Sequence, residues 1–342
     1  MPEERPDETG EGPPRPLILA AAVALAAATG LALWVLPGAP PSLRQAASAR
    51  AVTPPPASPA AGPAAGPAAG PPPEAPQFLR NARPTGYVAF VDSRRSPRYD
   101  LVAAARRTGA RWFAIGYVTA AREACAPRWN GTVQPGRNAV ANRIGALRAM
   151  GGDVALVFGG PKGRELAESC PDAESLAAAY RRVISGFGVR HVMIEARDSG
   201  PAVARRRGRA LALLQREGEA ARKPLGVAFT LRARPGGPAE GDLAVLREAR
   251  NAGVRATANL LVPSPGDLAG TARTAGPRIA PALGEAEPWR HTALTLVSAT
   301  PLTPAQARRL TAFASSHGLP WISLRGPRPP ARALAVLTGK AP

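Results

Sequence analysis

Gly151-Gly-Asp-Val-Ala-Leu-Val-Phe-Gly-Gly160 and, thirty residues on, His191-Val-Met-Ile-Glu-Ala196 are the stretches on which the fold turns. Val154–Phe158 and His191–Ala196 are short apolar runs of strand length, and Leu176–Ser185 between them is patterned as a helix. Working outward, the same rhythm recurs. Further strand candidates are Tyr87–Val91, Trp112–Val118, Gly226–Leu231, Ala256–Val262, Thr292–Val297 and Trp321–Leu324. Helix-patterned segments such as Leu101–Arg107 and Ala305–Ser315 separate them. Eight strands with intervening helices over residues 77–342 have the size and rhythm of a (β/α)8 TIM barrel, in the α/β class. An open doubly wound sheet is the rival architecture. No G-x-G-x-x-G follows the first strand, so a dinucleotide-binding version lacks support.

Upstream, the texture changes three times. Residues 37–76 are rich in Pro, Ala and Gly, with three consecutive Pro-Ala-Ala-Gly units from Pro59 to Gly70, which reads as an extended spacer. Leu17–Leu36 is a run of 20 residues without a charge, bounded by Pro16 and Pro37. As a helix it spans roughly 30 Å, the thickness of a hydrocarbon core. A cleaved signal peptide is the alternative, and Ala46-Ala47-Ser48-Ala49 offers small residues for cutting. The acidic flank and the length of the run favour an uncleaved single-pass anchor instead. Residues 1–16 are polar, acidic and proline-rich, and read as a disordered cytoplasmic tail. Arginines flank both ends of the run, so charge alone does not orient it. The spacer and the cysteines argue for the barrel being extracellular.

Net charge is +20, yet residues 1–40 hold five acids and two bases. The remainder is therefore strongly basic, which suits an anionic cell-wall polymer, lipid headgroups or nucleic acid. Inflated Ala, Arg, Pro and Gly beside scarce Lys is also the composition of a GC-rich genome. No zinc-knuckle spacing or RNP-like aromatic motif accompanies the bases, so nucleic acid is not expected as a partner.

Only Cys125 and Cys170 are present. They follow the second and third strand candidates, so both fall in loops at one barrel end, where a disulfide is expected in an extracytoplasmic protein. Two separate thiols are the alternative. His191, His291 and His317 have no metal-ligand spacing, and no P-loop or Gly-x-Ser-x-Gly occurs. Neither a metal nor a cofactor is expected. Arg205, Arg206, Arg207 and Arg209 fall on the helix after the fourth strand, where a solvated face is the default reading.

Asp100-Leu-Val-Ala-Ala-Ala-Arg-Arg-Thr-Gly109, Phe113-Ala-Ile-Gly-Tyr-Val-Thr-Ala120 and Cys125-Ala-Pro-Arg-Trp-Asn-Gly131 resemble the opening of actinobacterial chitinases of glycoside hydrolase family 18. The resemblance extends through Gly151–Gly160, Gly163-Arg-Glu-Leu-Ala, Cys170 and Tyr180–His191, and more weakly to Arg325. It implies the barrel and, by analogy, a substrate built of N-acetylglucosamine. It also implies substrate-assisted hydrolysis, in which a glutamic acid ending the fourth strand protonates the leaving oxygen. An aspartate two residues earlier and a tyrosine after the sixth strand hold the acetamido group, and a tryptophan on the last strand floors the pocket.

This sequence departs from that pattern. Aligned from Gly188, the family's aspartates fall on Met193 and Glu195 and its acid on Arg197, which keeps its proton at working pH. Strand alternation points His191, Met193, Glu195 and Arg197 inward, and a Glu195–Arg197 ion pair is expected. Val157-Phe158-Gly159-Gly160 stands for the family's Ser-x-Gly-Gly, Pro265 for the tyrosine and Arg325 for the tryptophan. A two-residue deletion would instead set Glu195 on the acid position. Asp92, Gly159, Gly160, Asn259 and Arg325 join the inward residues of the fourth strand as the candidate ligand pocket. A non-catalytic barrel binding polysaccharide or an anionic wall polymer is the leading expectation. An active chitinase using Glu195 and a protein-binding surface scaffold are the alternatives, with oligomeric state open.

Overall fold

The computed structural model of the chain describes residues 83–340, except 123, 197–199, 235 and 264–267. The tail, the apolar run Leu17–Leu36 and the spacer lie outside the described residues. No described helix is long and apolar enough to cross a membrane.

Eight parallel strands close into a barrel. In chain order the elements are β1 (Gly86–Asp92), α1 (Leu101–Thr108), β2 (Trp112–Ala121), β3 (Ala124–Trp129), α2 (Ile144–Ala149), β4 (Asp153–Gly159), α3 (Leu166–Ser169), α4 (Ala173–Phe187) and β5 (His191–Glu195). There follow α5 (Gly200–Ala220), β6 (Gly226–Arg234), β7 (Gly237–Pro238), α6 (Glu240–Asn251) and β8 (Ala256–Pro263). The last are α7 (Leu268–Leu283), β9 (Thr292–Val297), α8 (Pro304–His317), β10 (Trp321–Arg325) and α9 (Ala331–Thr338). The barrel runs β1-β2-β4-β5-β6-β8-β9-β10 and closes where β10 pairs with β1, Trp321 opposite Gly86. All eight sequence-read strands are its staves, and the open-sheet rival is excluded.

Strand alternation sets two apolar layers. Phe113, Ile115, Leu156, Val192, Ile194, Phe229 and Leu294 face outward into the main core beneath the helices. Val88, Ala114, Val157, Met193, Ala228 and Ala293 face the barrel interior. Burying each large outer side chain contributes about 1.5–3 kcal/mol, so the register is strongly held. Helix ends are written locally: Asp172 accepts the Ser175 N–H at the start of α4, and Thr303 and Gln306 form a capping box on α8.

The β2–β3 hairpin was not read from the sequence. β3 pairs antiparallel with the outer end of β2, Val118 opposite Trp129. It places Cys125 on a strand rather than in a loop, bonded to Cys170 with the Cα atoms 4.5 Å apart. The expected disulfide is present.

Candidate functional site

The C-terminal mouth of the barrel gathers five of the residues singled out from the sequence. Asp92 ends β1, Gly159 ends β4 with Gly160 next, Glu195 ends β5 and Arg325 ends β10. Arg325 Nη2 donates to Glu195 Oε2 at 2.7 Å, and both side chains are 13% exposed. The guanidinium carbon lies 4.3 Å from the Phe90 ring centroid and 5.8 Å from that of Tyr117. These two rings stand 5.6 Å apart. Arg325 therefore joins two aromatic faces to one carboxylate across the opening. Burial works against its charge, but Glu195, by charge and hydrogen bond, together with Tyr117 and Asp92 raises the guanidinium pKa. Burial also pushes the Tyr117 phenol up, with Arg325 opposing.

Two glycines make this closeness possible. A Cβ on Gly159 would sit 2.3 Å from the Glu195 carbonyl oxygen, and one on Gly160 would sit 2.4 Å from the Tyr117 ring. Both have positive φ, and the Gly160 N–H donates to the Glu195 carbonyl at 2.9 Å. Asp92 is turned to local work: its Oδ1 accepts the backbone N–H groups of Arg94 and Arg95 at 3.0 and 3.3 Å.

Three other candidates, Met193, Asn259 and His191, lie deeper in the barrel or at its far end. Met193 packs in the barrel interior. Asn259 is buried there, its amide donating to Thr230 Oγ1 at 3.3 Å and accepting from Thr295 Oγ1 at 2.8 Å. His191 opens β5 at the opposite end, edge-on to Trp112 at 5.2 Å. It does not share a pocket with Glu195, because the two ends of a strand open on different faces of the barrel. Arg197 and Pro265 lie outside the described residues. Glu195 pairs with Arg325, a partner that the sequence reading did not name.

Two features were missed. Tyr117 turns inward because β2 slips register against β4 between Gly116 and Val118, so parity alone misplaces it. Behind the mouth, Arg207 Nε and Nη2 donate to Glu165 Oε1 and Oε2 at 2.7 and 2.8 Å, with both side chains essentially buried. The expectation of a solvated arginine face is corrected for Arg207. It lies on the buried stripe of α5 with Ala204, Leu211 and Leu214, a helical spacing that the sequence does carry. Among the described residues no cluster of His, Cys, Asp or Glu could hold a metal ion.

No protein-family model matches the chain. Over 172 residues, 49% of the chain, it is 26% identical to the probable bifunctional chitinase/lysozyme of Escherichia coli (strain K12). That match spans 19% of the relative's length. The catalytic domain of the hyperthermophilic chitinase from Pyrococcus furiosus superposes with a TM-score of 0.65 and 22% identity, covering 76% of this chain and 96% of that one. Catalytic-site mutants of active domain 2 of a thermostable chitinase from Pyrococcus furiosus, solved with chito-oligosaccharides, superpose equally well, with a TM-score of 0.65. The chitinase of Chromobacterium violaceum superposes with a TM-score of 0.54 and 11% identity, covering 75% and 99%. The chain thus has the chitinase-like fold that its sequence resembles.

Proposed function

We propose that this barrel is a non-catalytic, family-18-like module that binds a polysaccharide or another anionic wall polymer at the cell surface. The Glu195–Arg325 pair carries the reading. A general acid needs an oxygen that can hold a proton and hand it on. The aligned acid position is Arg197, which keeps its proton, and Glu195, which a two-residue deletion would set there instead, has its Oε2 accepting from a guanidinium. Arg325, at the position matched to the family's tryptophan, lies on Phe90 and Tyr117, so a sugar ring meets a cation where that family offers an apolar floor. Anchoring belongs to the same proposal: Leu17–Leu36 holds the protein in the membrane and residues 37–76 lift the barrel away from it. The Cys125–Cys170 bond supports an oxidising compartment on the outer side.

Pulldown of the full chain on chitin, peptidoglycan and teichoic acid tests the ligand class. Retention on an anionic polymer that weakens with salt and with Arg325→Ala supports the proposal, whereas retention indifferent to both removes it. The second reading is a chitinase using Glu195 as acid, favoured by its inward position at the C-terminal end of the fourth barrel strand.

A further inference from the structure

The N-terminal end of the barrel, opposite the mouth, holds a cavity of about 540 Å³. Its inner wall includes Met193, Ala228 and Trp321, and its rim carries Arg83, Arg190, Arg250 and Arg255 against one acid, Glu285. Two of the arginines are engaged elsewhere: Arg255 pairs with Glu219, and Arg250 donates to the Pro281 carbonyl. Arg83 and Arg190 have no ion-pair partner among the described residues.

This end of a barrel ordinarily serves stability, and part of the floor does so here. Gln215 donates to the carbonyls of Leu225 and Arg255 at 3.0 and 2.9 Å and accepts the Arg255 N–H at 3.0 Å, tying α5, β6 and β8 together. Trp321 differs. It lines the cavity, is 5% exposed, and its buried indole N–H has no hydrogen-bond partner among the described residues. Buried donors are nearly always satisfied, so an orphan beside a cavity points to an acceptor that the protein does not itself provide. Cationic rim, apolar wall and spare donor together describe an amphipathic anion.

We infer that this cavity is a second binding site, distinct from the mouth, for a small organic anion. Its carboxylate, phosphate or sulfonate head lies among Arg83, Arg190 and the Trp321 indole N–H, and its apolar body lies against Met193.

The test is a titration of the full chain with anilinonaphthalene sulfonate, an aryl anion of this kind, read by energy transfer from tryptophan. Saturable binding should weaken about tenfold in the Arg83→Gln/Arg190→Gln double variant, as loss of charge-assisted bonds requires. Trp321→Phe keeps a ring but removes the N–H, and should also weaken it. Arg94→Gln, an exposed arginine at the other end, should leave affinity unchanged. Circular dichroism confirms that each variant is folded. No saturable binding by the wild type, or binding that ignores the double variant or responds equally to Arg94→Gln, overturns the inference.

Discussion

Arg325 and Glu195, 130 residues apart in sequence, meet at 2.7 Å across the mouth of the barrel. Each side chain is 13% exposed, so neither charge is solvated well enough to stand alone. Removing one partner strands the other. Arg325→Met should therefore destabilise the protein by about 3 kcal/mol in urea unfolding, while the double variant Arg325→Met/Glu195→Gln recovers most of the loss. A double variant no more stable than the single one would show that the two residues act independently.

The pair behind the mouth is more deeply buried. Glu165→Gln takes a bidentate carboxylate from the Arg207 guanidinium at a site of 0% side-chain exposure, and should cost about 3–5 kcal/mol. Glu165→Leu with Arg207→Met should be far less harmful than either change alone. Equal losses in single and double variants would contradict a paired role.

The Cys125–Cys170 bond closes a sequence separation of 45 residues. On the chain-entropy account, removing it costs about 3–4 kcal/mol. Cys125→Ser/Cys170→Ser should lower the urea midpoint accordingly and leave the denaturant slope close to that of the reduced wild type. Two thiols that alkylate freely in unreduced, denatured protein would refute the bond itself.

Acid stability should depend on the helix caps. The Ala103 N–H holds the Asp100 carboxyl below its usual range, with Arg143 adding to the effect, and the Ser175 N–H does the same for Asp172. A carboxyl whose pKa is lowered by folding stabilises fully above its unfolded pKa and loses that contribution as pH falls through the folded value. Between neutral pH and about pH 3, the wild-type melting temperature should fall more steeply than that of Asp100→Asn/Asp172→Asn, which caps without titrating. Parallel curves would count against the caps as titrating groups.

How much was legible beforehand depends on which physical rule governed each residue. Strand staves such as Val154–Phe158 and Trp321–Leu324 are short apolar runs between helical segments, and these were readable throughout. Alternation correctly turned Met193 inward and Val192 and Ile194 outward. Tyr117 was illegible because its inward turn depends on a register slip between β2 and β4, a property of two strands together. Glu195 could not be matched to Arg325 in the sequence, for a related reason. Arg197 is its neighbour in sequence, whereas Arg325 is its neighbour only once β10 closes the barrel on β1. Asn259 was placed in the ligand pocket, but its amide is spent on Thr230 and Thr295 inside the barrel. Arg207 shows the opposite failure, since its place on the apolar stripe of α5 was readable and was overridden by the arginines around it.

The central claim is that the mouth no longer hydrolyses chitin, because Glu195 is committed to Arg325 and the ring floor is a cation. Incubating the full chain with chromogenic N-acetylglucosamine oligomers, beside Glu195→Gln, tests it most directly. The account expects no turnover above background in either protein. Turnover by the wild type that disappears in Glu195→Gln would contradict it and make Glu195 the acid.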